Sequence, residues 1–306
     1  MSTLFTHFFH KFNQITPLEA DFTEVLDGIA VKPKSLYFYG KMPENMSFGR
    51  STMRPKCVAI VGARKNTRYG EEVAYKLAYE LAKKGVIVVS GLAYGIDSIA
   101  HRAALDAGGR TVAVLGTPID KIYPKPHEGL AREIVEKDGV VMSEYAPGTI
   151  IHPKVSFLER NRLISGLSDV VVVVEAAERS GSLNTAAHAL EQGKEVLAVP
   201  GNITSPLSQG CNRLIRQGAM PYTGVDDVLN LLFPAPRRRK KAEQLLIFGD
   251  TEEEVAVMKL IADGVRDGEE IMAKLQMPVA TFNQTVMMLE IKGMVRSLGA
   301  NKWSLV

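Results

Sequence analysis

Cysteine is nearly missing from this chain: among 306 residues only Cys57 and Cys211 are cysteines, and they lie far apart. That excludes a disulfide framework and any CxxC metal pair. No stretch comes near the ~20 consecutive apolar residues that a membrane helix needs. The longest runs, such as Val170 to Val174, are short and β-branched, which suits a buried strand. The opening segment, MSTLFTHFFHKFNQI, has no basic region leading into a long apolar run and a small-residue cleavage site. No signal peptide is therefore expected, and the expected compartment is the cytoplasm. An excess of one charge is also lacking: 37 Lys and Arg stand against 34 Asp and Glu, a net charge of +3. That argues against a protein coated in basic charge, while a focused basic site stays compatible with it. GxSxG, HExxH and Walker A motifs are absent, so catalysis has little support. His7 and His10 have HxxH spacing without a carboxylate close by, and they read as surface residues.

What is present is a globular composition with 46% hydrophobic residues, long enough for more than one domain. Continuous apolar runs end at Gly62, Gly91, Gly116, Ser143, Glu175 and Gly201, and helix-period segments such as Glu71 to Lys84 separate them. Apolar runs without alternation, spaced by amphipathic helices, predict a doubly wound parallel α/β sheet covered on both faces. Residues 1–54 read as a mixed lead-in with one strand-like patch, Ser35 to Tyr39, and residues 55–233 as the α/β domain. Residues 234–249 form a Pro-containing basic linker, Arg237 to Lys241 being its charge run. Residues 250–306 predict three helices and a hairpin around Leu298 to Asn301, a winged-helix pattern. That segment holds six basic residues against nine acidic ones. A groove-reading module is normally basic, so protein binding or weak DNA binding is expected of it.

Ligands of open α/β sheets bind outside the carboxyl ends of the strands. Gly62-Ala63-Arg64 there offers turn amides and a guanidinium to an anion, although a plain turn with a surface Arg fits equally well. Ser90-Gly91-Leu92-Ala93-Tyr94-Gly95-Ile96-Asp97 brackets a turn before a helix and suits phosphate at a helix start. It is not GxGxxG, and no acidic residue is placed for a ribose, which disfavours a nicotinamide cofactor. Arg160 and Arg162 are not neighbours on a helix, so they are expected to do different work, one toward a ligand and one toward a structural partner. Ser180-Gly181-Ser182 suits a phosphate and a helix cap alike. Asp97, Glu144 and Glu175 stay open as acid or base candidates, and Tyr94 as a stacking residue.

In order along the chain stand Val61-Gly62-Ala63-Arg64, Ser90 to Asp97, Asp120-Lys121-Ile122-Tyr123-Pro124, Arg160-Asn161-Arg162, Ser180 to Ala186, Val199-Pro200-Gly201 and Gly210-Cys211-Asn212. Together they closely resemble the DNA-processing protein DprA (Smf) family over residues 33 to 233. The resemblance implies an extended Rossmann-like fold with a C-terminal winged helix, the family's N-terminal helical module being absent or reduced. It implies a homodimer that binds single-stranded DNA, protects incoming strands in natural transformation and loads the RecA recombinase, with no cofactor, metal or catalytic step. By the same resemblance the DNA pocket maps onto Gly62, Arg64, Ser90, Gly91, Ala93 and Gly95, with Lys154 beside it and Arg160, Asn161, Ser180 and Gly181 as its floor. Pro118, Leu158 and His127 depart from the family pattern around the third strand end. An alternative is a nucleotide phosphoribohydrolase of the lysine-decarboxylase-like family, with a PGGxGTxxE signature, but His188 stands where that signature has its glutamate. A plain winged-helix transcription factor would leave the α/β part without a role.

Overall fold

The computed structural model describes residues 11–48, 51–234 and 251–305, so His7, His10 and the Arg237 to Lys241 run lie outside the described residues. The chain divides into two compact units, Met1–Leu232 and Phe233–Val306.

The first unit is built on a nine-stranded sheet. In chain order its elements begin with β1 (Asn13–Ile15) and β2 (Leu36–Gly40), then a separate hairpin of β3 (Met46–Phe48) and β4 (Ser51–Met53). The α/β alternation follows: β5 (Cys57–Val61), α1 (Arg68–Lys83), β6 (Ile87–Ser90), α2 (Ile96–Asp106), β7 (Thr111–Val114), α3 (Glu128–Glu136), β8 (Val140–Ser143) and α4 (Pro153–Leu167). It closes with β9 (Val170–Val173), α5 (Gly181–Glu191), β10 (Glu195–Ala198), α6 (Gln209–Arg216), β11 (Met220–Pro221) and α7 (Val225–Leu232). The order across the sheet is β1-β2-β8-β7-β6-β5-β9-β10-β11. Every pairing from β8 to β11 is parallel, and only β1–β2 and β2–β8 are antiparallel. The apolar runs become strands because both of their faces are covered: every residue of β5, β6, β7 and β9 is buried. Helix α1 shows the complementary pattern, burying Ala74, Leu77, Ala78 and Leu81 at helical spacing behind an N-cap at Thr67.

The lead-in is built into this unit rather than leading up to it. Phe22, Leu26 and Leu36 are fully buried and share one core with Val89, Val114, Leu163 and Leu167. Its strand-like patch becomes β2, paired antiparallel to β8. The arrangement also explains α4, which is buried without interruption from Arg160 to Leu167. A helix buried on all sides needs cover on two faces. The sheet supplies one, and Leu26 and Ile29, packed over Gly166, supply the other.

The second unit has a core of its own, made by Val257, Met258, Ile261, Ile271, Phe282 and Leu289. Its elements are α8 (Glu252–Ala262), α9 (Gly268–Leu275), α10 (Val279–Ile291), β12 (Val295–Gly299) and β13 (Lys302–Leu305). Helices α8 and α9 start at side-chain caps, Thr251 and Asp267, while Pro278 precedes α10. The β12–β13 turn falls at Ala300 and Asn301, both with positive φ, the left-handed pair that a tight hairpin favours. Three helices followed by a hairpin is the order that the winged-helix reading expects. Helix α10 exposes Met287, Met288 and Ile291, and its sequence contains no Lys or Arg. Across the described residues, no helix is long and apolar enough to cross a membrane.

Because Leu26 is fully buried between the lead-in and α4, Leu26→Ala is expected to lower the unfolding free energy by about 2–5 kcal/mol. Urea denaturation checks this. A change within a few tenths of a kcal/mol would show that the lead-in packs only loosely.

Candidate nucleic-acid interface

Strand order reverses next to β5. The chain steps outward from β5 through β6, β7 and β8, then returns to place β9 on the other side of β5. Loops leaving β5 and β9 therefore diverge and leave a crevice at their carboxyl ends. A cavity of about 340 Å³ occupies this place. Its walls are Gly62 to Lys65 after β5, Ala177 and Arg179 to Ser182 after β9, and Phe157, Arg160 and Asn161 from α4. Arg64, Lys65 and Arg179 are exposed at it.

The floor is a buried ion network. Arg160 is 4% exposed. One of its terminal nitrogens donates to the Gly91 carbonyl at 2.9 Å and to the Val114 carbonyl, while Nε reaches Asn161 Oδ1 at 3.3 Å. Burial lowers the Arg160 pKa to about 10, which leaves it charged at neutral pH, and Asp97 supplies compensating negative charge. The Asp97 carboxylate accepts from the backbone N–H groups of Gly91 at 3.1 Å and Ala93 at 3.4 Å. Burial raises its pKa, and the nearby Arg160 and the two amides work against that rise. Gly91 is required here because a Cβ at that position would sit inside the Arg160 guanidinium. Gly95 is required for a different reason: its φ is +74°, and a Cβ there would overlap the Ala63 carbonyl oxygen. Under this floor His101 is fully buried, and burial takes its pKa down to about 3, so it stays neutral.

The predicted site residues divide into two groups. Gly62, Arg64, Ala93, Arg160, Asn161, Ser180 and Gly181 all line the cavity. Asn161 ties its two halves together by donating to the Gly181 carbonyl at 3.2 Å and to Asn184 at 3.1 Å. Ser180 also caps α5, so the two readings of that turn coexist. Ser90, Gly91, Gly95 and Lys154 do not line it. Ser90 is fully buried and donates its hydroxyl to the Ile60 carbonyl at 2.7 Å, so it joins β6 to β5 rather than facing a ligand. Gly91 and Gly95 make room for Arg160 and for the turn after β5. Lys154 is exposed on the first turn of α4, before the helix enters the core.

The remaining candidates find structural partners. Arg162 makes a two-pronged pair with Glu144, at 2.8 and 2.6 Å, and holds the lead-in through the Val31 carbonyl at 3.0 Å. Glu175 accepts from the backbone and hydroxyl of Thr67, fixing the start of α1. Tyr94 lies edge-on to His127 at 4.9 Å and does not line the cavity. Lys65 and Arg179 are cavity residues that the motif reading did not single out, and Phe157, which opens the stretch that runs to Arg162, is a cavity residue not placed among the candidate site residues. For Phe157 a signal existed, because it precedes Arg160 by three positions on one helix face. Among the described residues no cluster of three or more His, Cys, Asp or Glu side chains is placed to hold a metal ion.

These features define a class: an extended Rossmann-like α/β protein with a cation-ringed pocket at the switch point of its sheet, suited to an anionic ligand. The sequence model of the family described as DNA recombination-mediator protein A matches residues 13–233, and the chain belongs to that family. The resemblance drawn from the ordered motifs is thereby borne out. The chain is 49% identical over 179 residues to the putative DNA processing protein DprA of Mycobacterium tuberculosis, covering 58% of this chain and 45% of that protein. The aligned part thus spans under half of that relative's length. Identity is 41% over 222 residues to DNA processing protein DprA of Streptococcus pneumoniae, covering 72% of this chain and 74% of that one. Among solved structures, DNA processing protein A of Helicobacter pylori, studied for its single-stranded DNA binding mode, superposes with a TM-score of 0.63 at 32% identity. That match covers 74% of this chain and 97% of the other.

Removing the buried cation leaves Asp97 and two strand-end carbonyls without their partner. Arg160→Ala is expected to destabilise the first unit by about 3–5 kcal/mol. Adding Asp97→Asn should cost less than the sum of the two single changes, because they share one network. Chemical denaturation of both single variants and the double variant reads this, and strict additivity would show the two groups to be uncoupled.

Proposed function

We propose that this chain binds single-stranded DNA through the switch-point pocket, protects the strand and passes it to a RecA-type recombinase, acting as a homodimer without a chemical step. The observation that carries this reading is the convergence of Arg64, Lys65 and Arg179 on one cavity whose other walls include Gly62 and Gly181, the hydroxyls of Ser180 and Ser182, and the apolar side chains of Phe157 and Ile164. Such a set holds phosphate oxygens and offers little to tell one base from another, so recognition is largely sequence-independent. Family membership supports the recombination role, and the H. pylori relative supports the choice of a single strand.

The phosphoribohydrolase reading is disfavoured by where the carboxylates lie. Glu144 is held by Arg162, Glu175 by Thr67, and Asp97 by the Gly91 and Ala93 amides. His188, at the position of the missing glutamate, stands 3.1 Å from Glu191 and does not line the cavity.

The second unit takes a different part. In a winged helix the third helix normally enters the DNA groove. Here that helix is α10, which exposes methionines and isoleucine and carries no cation. Its role is contact with protein, with duplex DNA held weakly if at all.

Two measurements test these readings. Arg64→Ala should weaken oligo-dT binding about ten- to a hundredfold, the value of a charge-assisted bond. It should also reduce the slope of log affinity on log salt by about 0.7, one phosphate on a single strand. Fluorescence anisotropy across a salt series reads both, and unchanged affinity removes the pocket assignment. Separately, the 250–306 fragment should leave the anisotropy of a labelled duplex almost unchanged at micromolar protein. Tight duplex binding by that fragment would contradict the protein-contact role.

A further inference from the structure

The anion pocket has a neighbour. A second cavity, of about 640 Å³, is lined by Thr117, Asp120, Lys121, Tyr123 and Thr149 and by Phe157. Phe157 lines both cavities and so forms the wall between them. The Arg64 guanidinium lies 5.7 Å from the Phe157 ring centroid, and the Tyr123 ring lies 5.4 Å from it at an angle of 39°. Cation, ring and ring thus form a continuous row from the phosphate site into the second cavity.

A half-exposed tyrosine is common on protein surfaces and by itself says little. Here the loop that presents Tyr123 is held firmly in place. Ile119 is fully buried beneath it. The Thr117 hydroxyl donates to the Lys121 carbonyl at 2.6 Å, Ser143 donates to the Thr117 carbonyl at 2.6 Å, and Asp120 accepts from the Gly148 amide at 3.1 Å. Gly116, at the head of the loop, leaves the space that the Phe157 ring fills. This fixed loop keeps 48% of Tyr123 in solvent at the edge of the cavity. A platform for a flat ligand accounts for that exposure.

We propose that the second cavity is a base-stacking subsite for the same strand, with Tyr123 as its platform and Phe157 joining it to the phosphate site. The proposal rests on the single-strand reading above. A strand whose phosphate is held at Arg64 must place an adjoining base within one nucleotide of it, and the shared wall puts an aromatic face there. Stacking accepts any base, since every base has a π-face, so it adds affinity without adding sequence preference. Lys121, exposed at the cavity rim, gives the following phosphate a cation.

The test compares oligo-dT with an abasic strand of the same length and charge, on the whole protein and its Tyr123→Ala and Tyr123→Phe variants. Tyr123→Ala is expected to weaken oligo-dT binding about tenfold. It should leave the abasic strand's affinity and the salt slope unchanged. Tyr123→Phe, which keeps the ring, should match the parent on both strands. Equal weakening of both strands by Tyr123→Ala, or no weakening of either, overturns the subsite while leaving the single-strand reading intact. Failure of the parent protein to bind oligo-dT overturns both.

Discussion

Arg160 carries a full positive charge into a place only 4% exposed to solvent, and the elements around it are arranged to satisfy that charge. A buried guanidinium is tolerated only with its donors paired and an opposite charge close by. The carboxyl ends of β6 and β7 supply the carbonyls of Gly91 and Val114, and α2 supplies Asp97. Because Arg160 comes from α4, this one side chain ties two strand ends, the start of α2 and the long buried helix into a single rigid floor. The glycine at position 91 follows from the same constraint, since any side chain there would displace the guanidinium.

The floor matters because of where the sheet reverses. Loops leaving β5 and β9 part at the switch point, and the crevice between them would be an unspecific gap without something beneath it. Arg160 and its countercharge Asp97 both border the cavity, so its floor is a fixed pair of opposite charges in a region of low dielectric. Asn161, the next residue, braces the far wall through Gly181 and Asn184. The floor around Arg160 and Asn161 is held in position by its own hydrogen bonds before any ligand arrives. Affinity gained this way does not have to offset the ordering of long side chains.

Much of this could be read in the chain itself, and the failures are instructive. The strand from Val170 was visible because a strand covered on both faces must be apolar throughout, and the Gly62 to Arg64 turn because it follows such a strand. The expectation that Arg160 and Arg162 do different work held: Arg162 pairs with Glu144 and grips the lead-in, while Arg160 lines the pocket. The role of Ser90, Gly91 and Gly95 was not visible. A glycine whose amide faces a ligand and a glycine whose missing Cβ makes room for a side chain look alike in sequence. Only the position of Arg160, 69 residues away from Gly91, separates them. The lead-in escaped notice for a similar reason. Phe22, Leu26 and Ile29 lie in and beside one short 3-10 turn that has no long period to recognise, and their value appears only when α4 is laid against them.

The near balance of charge acquires a physical meaning in this arrangement. A protein that holds a polyanion by surface charge alone needs many cations and loses its grip quickly as salt rises. With a net charge of +3, this chain has few to spare, and the tail from residue 250 is itself acidic. On the reading proposed above, binding draws as well on groups that carry no net charge: the Ser180 hydroxyl and the flat faces of Phe157 and Tyr123. Hydrogen bonds from neutral donors and ring stacking release few counterions, so they are weakened little by salt. Clustering Arg64, Lys65 and Arg179 at one cavity gives that place a local positive charge that the net charge does not show. On the proposed reading, protein contact falls to the second unit, whose third helix offers methionine and isoleucine rather than lysine.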